Sequence, residues 1–344
     1  MKILFYINSL DYGGTERTVS YLSDYFAKKG NEVYIIINTK TINYKINDSV
    51  KVFSLKTYSS NNLVKNIINI FKRIRRLRKK IKRIKPDIII TMTGTSTIMV
   101  NHVYKKAKII MSERGNPFAR TGIRKVALKY AIRHVDGMIF QTKGASKYYS
   151  LKESVPTIII QNAVGNKDIY TLENNFNFNC NILAVGRLAV EKDYSTMLKA
   201  FKLVNCEFPK YKLKIYGKGP EKNKLIALTK ELGLEENVEF KGVSDKAFVE
   251  NINSRVYLLT STKEGMPNSL LEAMGLGIPS IATKCEFGPA ELIRSGYNGF
   301  LVPVKDYKLL AEKIINIIKD EKMAIKFSIN SRKILETNSI VNIS

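Results

Sequence analysis

Histidine and cysteine are scarce in this 344-residue chain. Only His102 and His134 are present, which argues against a histidine-rich metal site. The three cysteines, Cys180, Cys206 and Cys285, are far apart. They form neither a disulfide framework nor a zinc pattern and suit a reducing compartment. No apolar run approaches the roughly 18 residues of a membrane-crossing helix. The opening MKILFYIN is too short for a signal peptide and reads as a buried strand. The dinucleotide fingerprint Gly-x-Gly-x-x-Gly is missing, and no Asp-x-Asp pair occurs anywhere.

Positive charge, by contrast, is abundant. There are 57 Lys and Arg against 30 Asp and Glu, a net +27. Residues 1–172 carry 32 bases and 10 acids, 32 − 10 = +22, and the remainder carries 25 and 20, 25 − 20 = +5. A composition rich in Lys, Ile and Asn explains a basic drift but not this asymmetry. A field of that sign attracts nucleic acid, acidic lipid or phosphorylated substrates.

Apolar runs of strand length alternate with amphipathic segments of helix length. KILFYIN, EVYIIIN, PDIIITM, KAKIIMS, DGMIFQT and PTIIIQN read as strands, with helices near 16–29 and 123–134. After a polar, aperiodic stretch the rhythm restarts. NILAVGR, YKLKIYG, NVEFKG, VYLLTS, PSIAT and GFLVP are the strands, and helices fall near 194–204, 221–232 and 268–275. Such βαβ alternation predicts an α/β protein with two doubly wound parallel sheets in series. The expected boundaries are an N-terminal domain over 1–165, a linker over 166–180, a C-terminal domain over 181–325 and a final helix over 326–344. Ligands of these sheets sit at the carboxyl ends of strands, and a shared cleft is the default site.

Three stretches at strand ends could do chemistry. Gly13 and Gly14 separate the first strand from its helix, allowing a tight turn and close backbone approach to a phosphate. A plain turn explains them equally well. In VGRLAVEKD, Arg187 suits bidentate phosphate recognition and Lys192 supplies a point charge, although a solvated loop pair is the simpler reading. The stretch KEGMPNSLLEAMG places Glu264 in a loop and Glu272 about one turn inside the next helix. The amides of Ser269, Leu270 and Leu271 are then expected to point between them, an arrangement suited to a diphosphate and several hydroxyls. The Gly217–Gly219 pair reads as a turn, with Pro220 at the first helical position.

EGMPNSLLEAMGLGIPSIAT, followed by GPAELI and NGFLV, resembles the donor-binding half of retaining GT-B glycosyltransferases of family 4. Their signature is this E-x7-E. GRL…EKD and the Gly-Gly turn match as well, and the resemblance spans nearly the whole chain, closest to bacterial enzymes of capsule, exopolysaccharide or O-antigen synthesis. It implies that Glu264 contacts donor sugar hydroxyls and Glu272 the ribose. Arg187 and Lys192 neutralise the diphosphate, Gly13, Gly14, Asn268, Ser269 and Leu270 line the donor, and the base lies near Lys241, Gly242 and Val243. The Asp-x-Asp of GT-A transferases is absent, so no metal or other cofactor is expected, and the two cations take that role. The implied donor is a UDP-sugar and the implied acceptor a polyprenyl-diphosphate-linked saccharide. Where many members carry a histidine, this chain reads IIMSERGNPF, making Glu113 and Arg114 candidates for contact with sugar or acceptor.

The segment 65–87 holds eleven Lys and Arg and no acid before Asp87. Its apolar residues recur at helical spacing. Arg73, Arg75, Arg76, Arg78, Lys79, Lys80, Lys82 and Arg83 are expected to face an anionic membrane surface, which would place the enzyme on the cytoplasmic side. A solvated cationic face is the simpler alternative. Nucleic acid is disfavoured, because only Phe71 interrupts the charge as an aromatic. A sugar-nucleotide epimerase would lack a well-placed acid or base, and a nucleic-acid-binding protein would leave Glu264 and Glu272 unexplained.

Overall fold

A computed structural model describes residues 1–11, 13–58, 62–104, 106–115, 122–149, 155–164, 168–172 and 176–339. The chain forms two compact units, Met1–Asn162 and a second beginning at Ala163.

In the first unit seven strands form one sheet: β1 (Lys2–Ile7), β2 (Glu32–Ile37), β3 (Lys51–Ser54), β4 (Ile88–Thr91), β5 (Lys108–Glu113), β6 (Gly137–Phe140) and β7 (Thr157–Ile159). The order is β3-β2-β1-β4-β5-β6-β7 and every pairing is parallel. Helices α1 (Gly14–Lys28), α2 (Leu63–Ile84), α3 (Gly94–Val103), α4 (Gly122–Ile132) and α5 (Lys143–Tyr149) cover it. The central strands are buried on both faces, which is why they read as nearly continuous apolar runs. Val19 of α1 packs with Ile3, Phe5 and Ile35 on one side of the sheet. Leu77, Ile81 and Ile84 of α2 join Val100 of α3 and Leu128 of α4 on the other.

The second unit holds α6 (Asp168–Thr171), β8 (Asn179–Val185), α7 (Tyr194–Glu207), β9 (Lys212–Tyr216), α8 (Lys222–Glu231), β10 (Val238–Gly242), β11 (Ser254–Leu259) and α9 (Asn268–Gly275). It continues through β12 (Ser280–Thr283), α10 (Pro289–Leu292), β13 (Phe300–Val302), α11 (Tyr307–Lys319), α12 (Glu321–Arg332) and α13 (Ile334–Thr337). Its sheet, also parallel, runs β10-β9-β8-β11-β12-β13. Side chains of Asp193, Asp306 and Asp320 cap α7, α11 and α12 by accepting first-turn amides.

Several elements differ from expectation. β3 is not among the expected strands; it has four residues, KVFS, and lies at the sheet's edge. The Gly-Thr-Ser-Thr start of α3 has poor helix propensity, yet Thr93 caps it by accepting the Ser96 amide. Helix α8 begins at Lys222, so Pro220 lies in the preceding turn. In the segment expected as one helix from 326, α12 starts at Glu321 and a break at Lys333 separates it from α13. Both pack on α9. Residues 340–344 of that segment, and 166–167 and 173–175 of the expected linker, lie outside the described residues.

Candidate active site

The strand order of the second unit reverses between β8 and β11. β8 runs on to β9 on one side, whereas the chain returns from β10 to β11 on the other. The carboxyl end of such a switch point leaves a crevice, because the two connections leave in opposite directions. Lys192 follows β8 and Glu264 follows β11.

These two side chains meet there. Lys192 Nζ donates to Glu264 Oε1 at 2.5 Å. Both are largely enclosed, with side-chain exposures of 19% and 11%. Ser261 Oγ donates to the same oxygen at 2.6 Å. Glu264 Oε1 thus takes two hydrogen bonds, and among the described residues Oε2 takes none. Lys192 carries three N–H donors and uses one on Glu264.

The loops carrying the pair are stitched together. Thr260 Oγ1 bonds the carbonyls of Lys192 and Asp193, at 2.9 and 3.0 Å. The Thr262 amide bonds Glu191 O at 2.8 Å. Thr283 Oγ1, at the end of β12, donates to Ser261 O at 2.5 Å. Asp193 adopts a left-handed φ of 44° while capping α7. That conformation costs a non-glycine residue about 1–2 kcal/mol, offset here by its bonds to the amide and hydroxyl of Thr196.

The surroundings feel the Glu264 charge. Burial, then Glu264, pushes the Tyr194 phenol above its ordinary range. The buried Cys285 thiol is pushed up to about 11, by burial first and by Glu264 second. Tyr257 rises mainly through burial; a hydrogen bond to the Ser269 side chain opposes this, and Tyr194, Glu264 and Glu272 add to the rise.

Other expected residues sit as follows. Glu272 is buried on α9 between Leu271 and Ala273. Pro267 is the N-cap of that helix and Asn268 its first residue. The amides of Leu270 and Leu271 both bond Pro267 O, at 3.1 and 3.2 Å, so they are not aimed at a ligand as expected; no backbone carbonyl among the described residues takes the Ser269 amide. Arg187 is exposed and pairs with Glu191 instead of joining Lys192. An exposed pair of this kind holds by at most about 1 kcal/mol, so it restrains the guanidinium weakly. Gly242 has a left-handed φ of 75° at the end of β10, and Val243 beyond it is exposed.

In the first unit Gly13 precedes α1 and Gly14 opens it. The Tyr44 hydroxyl accepts the Gly13 amide and donates to the Gly13 carbonyl. Glu113 is buried, accepting from Tyr149 Oη at 2.6 Å and from the Gly115 amide at 3.1 Å. Arg114 donates to Ser112, Thr18 and Asn162, and burial pulls its guanidinium down to about 10. These internal bonds hold both side chains in place within the first unit.

Sequence reading missed Ser261 and the reason for Gly217 and Gly219. A Cβ on Gly217 would lie 1.9 Å from Gly186 O, and one on Gly219 would lie 2.1 Å from Leu188 O. The two glycines let the loop after β9 press against the loop that carries Lys192. Their G-x-G spacing was visible, but nothing local shows what approaches it.

The cysteines are unpaired, with Cys180 and Cys206 exposed. Among the described residues no cluster of His, Cys, Asp and Glu could hold a metal ion, and no helix is long and apolar enough to cross a membrane.

Two family models match: "Glycosyl transferases group 1" over residues 177–334 and "Glycosyl transferase 4-like" over 2–142. The chain belongs to the GT-B glycosyltransferases of group 1, family 4, and is a glycosyltransferase. Among its relatives is the Campylobacter jejuni GalNAc-alpha-(1->4)-GalNAc-alpha-(1->3)-diNAcBac-PP-undecaprenol alpha-1,4-N-acetyl-D-galactosaminyltransferase. It is 26% identical over 97% of this chain and 93% of its own length. The Erwinia amylovora amylovoran biosynthesis glycosyltransferase AmsD is 26% identical over 95% and 93%. Among solved structures, a mutant of S. aureus TarM in complex with Fondaparinux, alpha-GlcNAc-glycerol and UDP shares the fold. Its TM-score is 0.82 at 17% identity, over 99% of this chain and 98% of that one. Anabaena HepE in complex with UDP and glucose gives 0.79 at 19% identity, over 100% and 97%.

Proposed function

We propose that this enzyme moves a hexose or N-acetylhexosamine from a UDP-sugar to a polyprenyl-diphosphate-linked saccharide. The anomeric configuration is retained, and the product serves synthesis of a bacterial surface polysaccharide. The observation that carries the proposal is the Lys192–Glu264 pair at the switch point of the second sheet. When the bond from the anomeric carbon to the diphosphate oxygen breaks, its electron pair stays on UDP. The two remaining N–H donors of Lys192 are suited to stabilise that charge, with Arg187 released from Glu191 to assist. Preorganised charge of this kind supplies much of enzymatic rate enhancement. Glu264 Oε2 is the acceptor for a donor sugar hydroxyl, while Lys192 and Ser261 fix Oε1. Glu272 is assigned to the ribose and the Gly242–Val243 turn to the base.

The relatives support the substrate classes. The C. jejuni enzyme is named for an undecaprenol-diphosphate saccharide, AmsD for amylovoran biosynthesis, and TarM and HepE were solved with UDP. A lipid-linked acceptor and the cations of α2 together suggest work at the cytoplasmic membrane face. The test is incubation with a panel of UDP- and GDP-sugars and a polyprenyl-diphosphate saccharide, with product mass as readout. Transfer from a UDP-sugar supports the proposal. Transfer from none, with tight salt-sensitive binding to DNA, refutes it.

A further inference from the structure

Helix α2 has two unlike sides. Leu77, Ile81 and Ile84 point into the core of the first unit. On the outward side Val64, Ile68, Phe71, Arg75, Lys79 and Lys82 succeed one another, all exposed. At 3.6 residues per turn these six fall within a sector of about 80°. The sector is graded along the axis, with three apolar side chains in the first turns and three cations after them. The apolar ones are not marginal cases, since Val64 is 64% and Phe71 68% exposed.

The roll of the helix is set by three cations that reach back to the chain before it. Arg73 Nε donates to Thr57 Oγ1 at 3.1 Å. Arg76 donates to the carbonyls of Leu55 and Lys56 at 2.6 and 3.0 Å. Lys80 sits 3.9 Å above the Phe53 ring. These three of the eight cations expected at a membrane therefore hold α2 to the chain around β3. Arg76 stays exposed while making its bonds, and Arg75, Arg78, Lys79, Lys82 and Arg83 are exposed as well.

The gradient indicates what covers this face. A second copy would oppose like charge to like charge, because 63–85 contains eleven bases and no acid. Nucleic acid would leave Val64, Ile68 and Phe71 unrewarded. An acidic bilayer rewards both halves at different depths, alkyl and aromatic groups at the acyl boundary and cations at the phosphates. Helix α4, beside α3 on the same face of the sheet, repeats the pairing, with exposed Val126 and Tyr130 beside exposed Lys125, Lys129 and Arg133.

We infer that α2 meets an acidic bilayer obliquely. Its first turns enter the acyl boundary as a wedge and its later turns stay at the headgroups. This rests on the membrane reading above and adds an orientation to it.

The chain contains no tryptophan, so one introduced indole reports alone. Full-length Ile68→Trp, Phe71→Trp and Lys79→Trp are mixed with vesicles of phosphatidylglycerol and phosphatidylcholine. The lipids carry bromine in the acyl chains or a spin label at the headgroup. Transfer to a water-soluble acceptor checks that each variant is folded. The expected result is a blue shift and acyl-chain quenching at 68 and 71, with headgroup quenching alone at 79. Equal depth at all three positions overturns the oblique seating while leaving membrane binding intact. No association of the unsubstituted protein with these vesicles at low salt overturns the membrane reading itself. A lipid-free dimer broken by Phe71→Ser assigns the face to a second copy and overturns the proposal.

Discussion

Ser261 and Lys192 converge on one oxygen of Glu264, from opposite sides of the point where the second sheet changes direction. Their donor atoms lie 2.6 and 2.5 Å from Oε1. Carboxylate position is therefore set by two loops at once, and each donor can be removed separately.

Ser261→Ala removes the neutral donor and leaves the ion pair. A hydrogen bond to a charged group contributes about 1.5–3 kcal/mol, so kcat/KM is expected to fall roughly 10- to 100-fold. Steady-state kinetics with a thermal melt as control measure this. Turnover unchanged within a factor of two would remove Ser261 from the account.

Glu272→Gln keeps the shape of a buried side chain and deletes its charge. Contacts to the ribose are remote from the breaking bond, so KM for the donor is expected to rise more than kcat falls. An unchanged KM counts against the ribose assignment.

Gly219→Ala tests the close approach of two loops. The added Cβ meets Leu188 O at 2.1 Å, and the backbone there cannot swing aside as a side chain would. A loss of about 1–3 kcal/mol in stability is expected, as for overpacking of an interior. Turnover should fall with it, since the displaced loop carries Lys192. A denaturant midpoint equal to that of the unsubstituted protein contradicts the packing argument.

Charge at the diphosphate is assigned to Lys192 and Arg187, so transfer is expected to persist in EDTA. Activity lost to the chelator and restored by Mn²⁺ would show that these cations do not suffice.

Apart from β3, the strands of both sheets were legible because their Ile, Val and Leu runs are bounded by polar turns, and α9 falls where Pro267 and Gly275 set its ends. Legibility failed where a contact distant in sequence decides. Nothing near Ser261 announces that its hydroxyl bonds Glu264 and that Thr283 holds its carbonyl. The direction of Arg187 was likewise invisible, because Glu191, four residues on, competes for it. In α2 the helical spacing showed the buried stripe. That Arg73, Arg76 and Lys80 turn toward the chain around β3 depends on partners 16 to 27 residues away.

The most direct test of the donor site compares Glu264→Gln, Lys192→Ala and the unsubstituted enzyme for transfer from the UDP-sugar the panel identifies, at saturating donor. Loss of one preorganised charge typically lowers rate by about 10²–10³. Each variant is expected to show a fall of that order in kcat while melting as a folded protein. Near-native kcat in either variant would contradict the account, because the pair at the β8–β11 crevice would then lie outside the reacting centre.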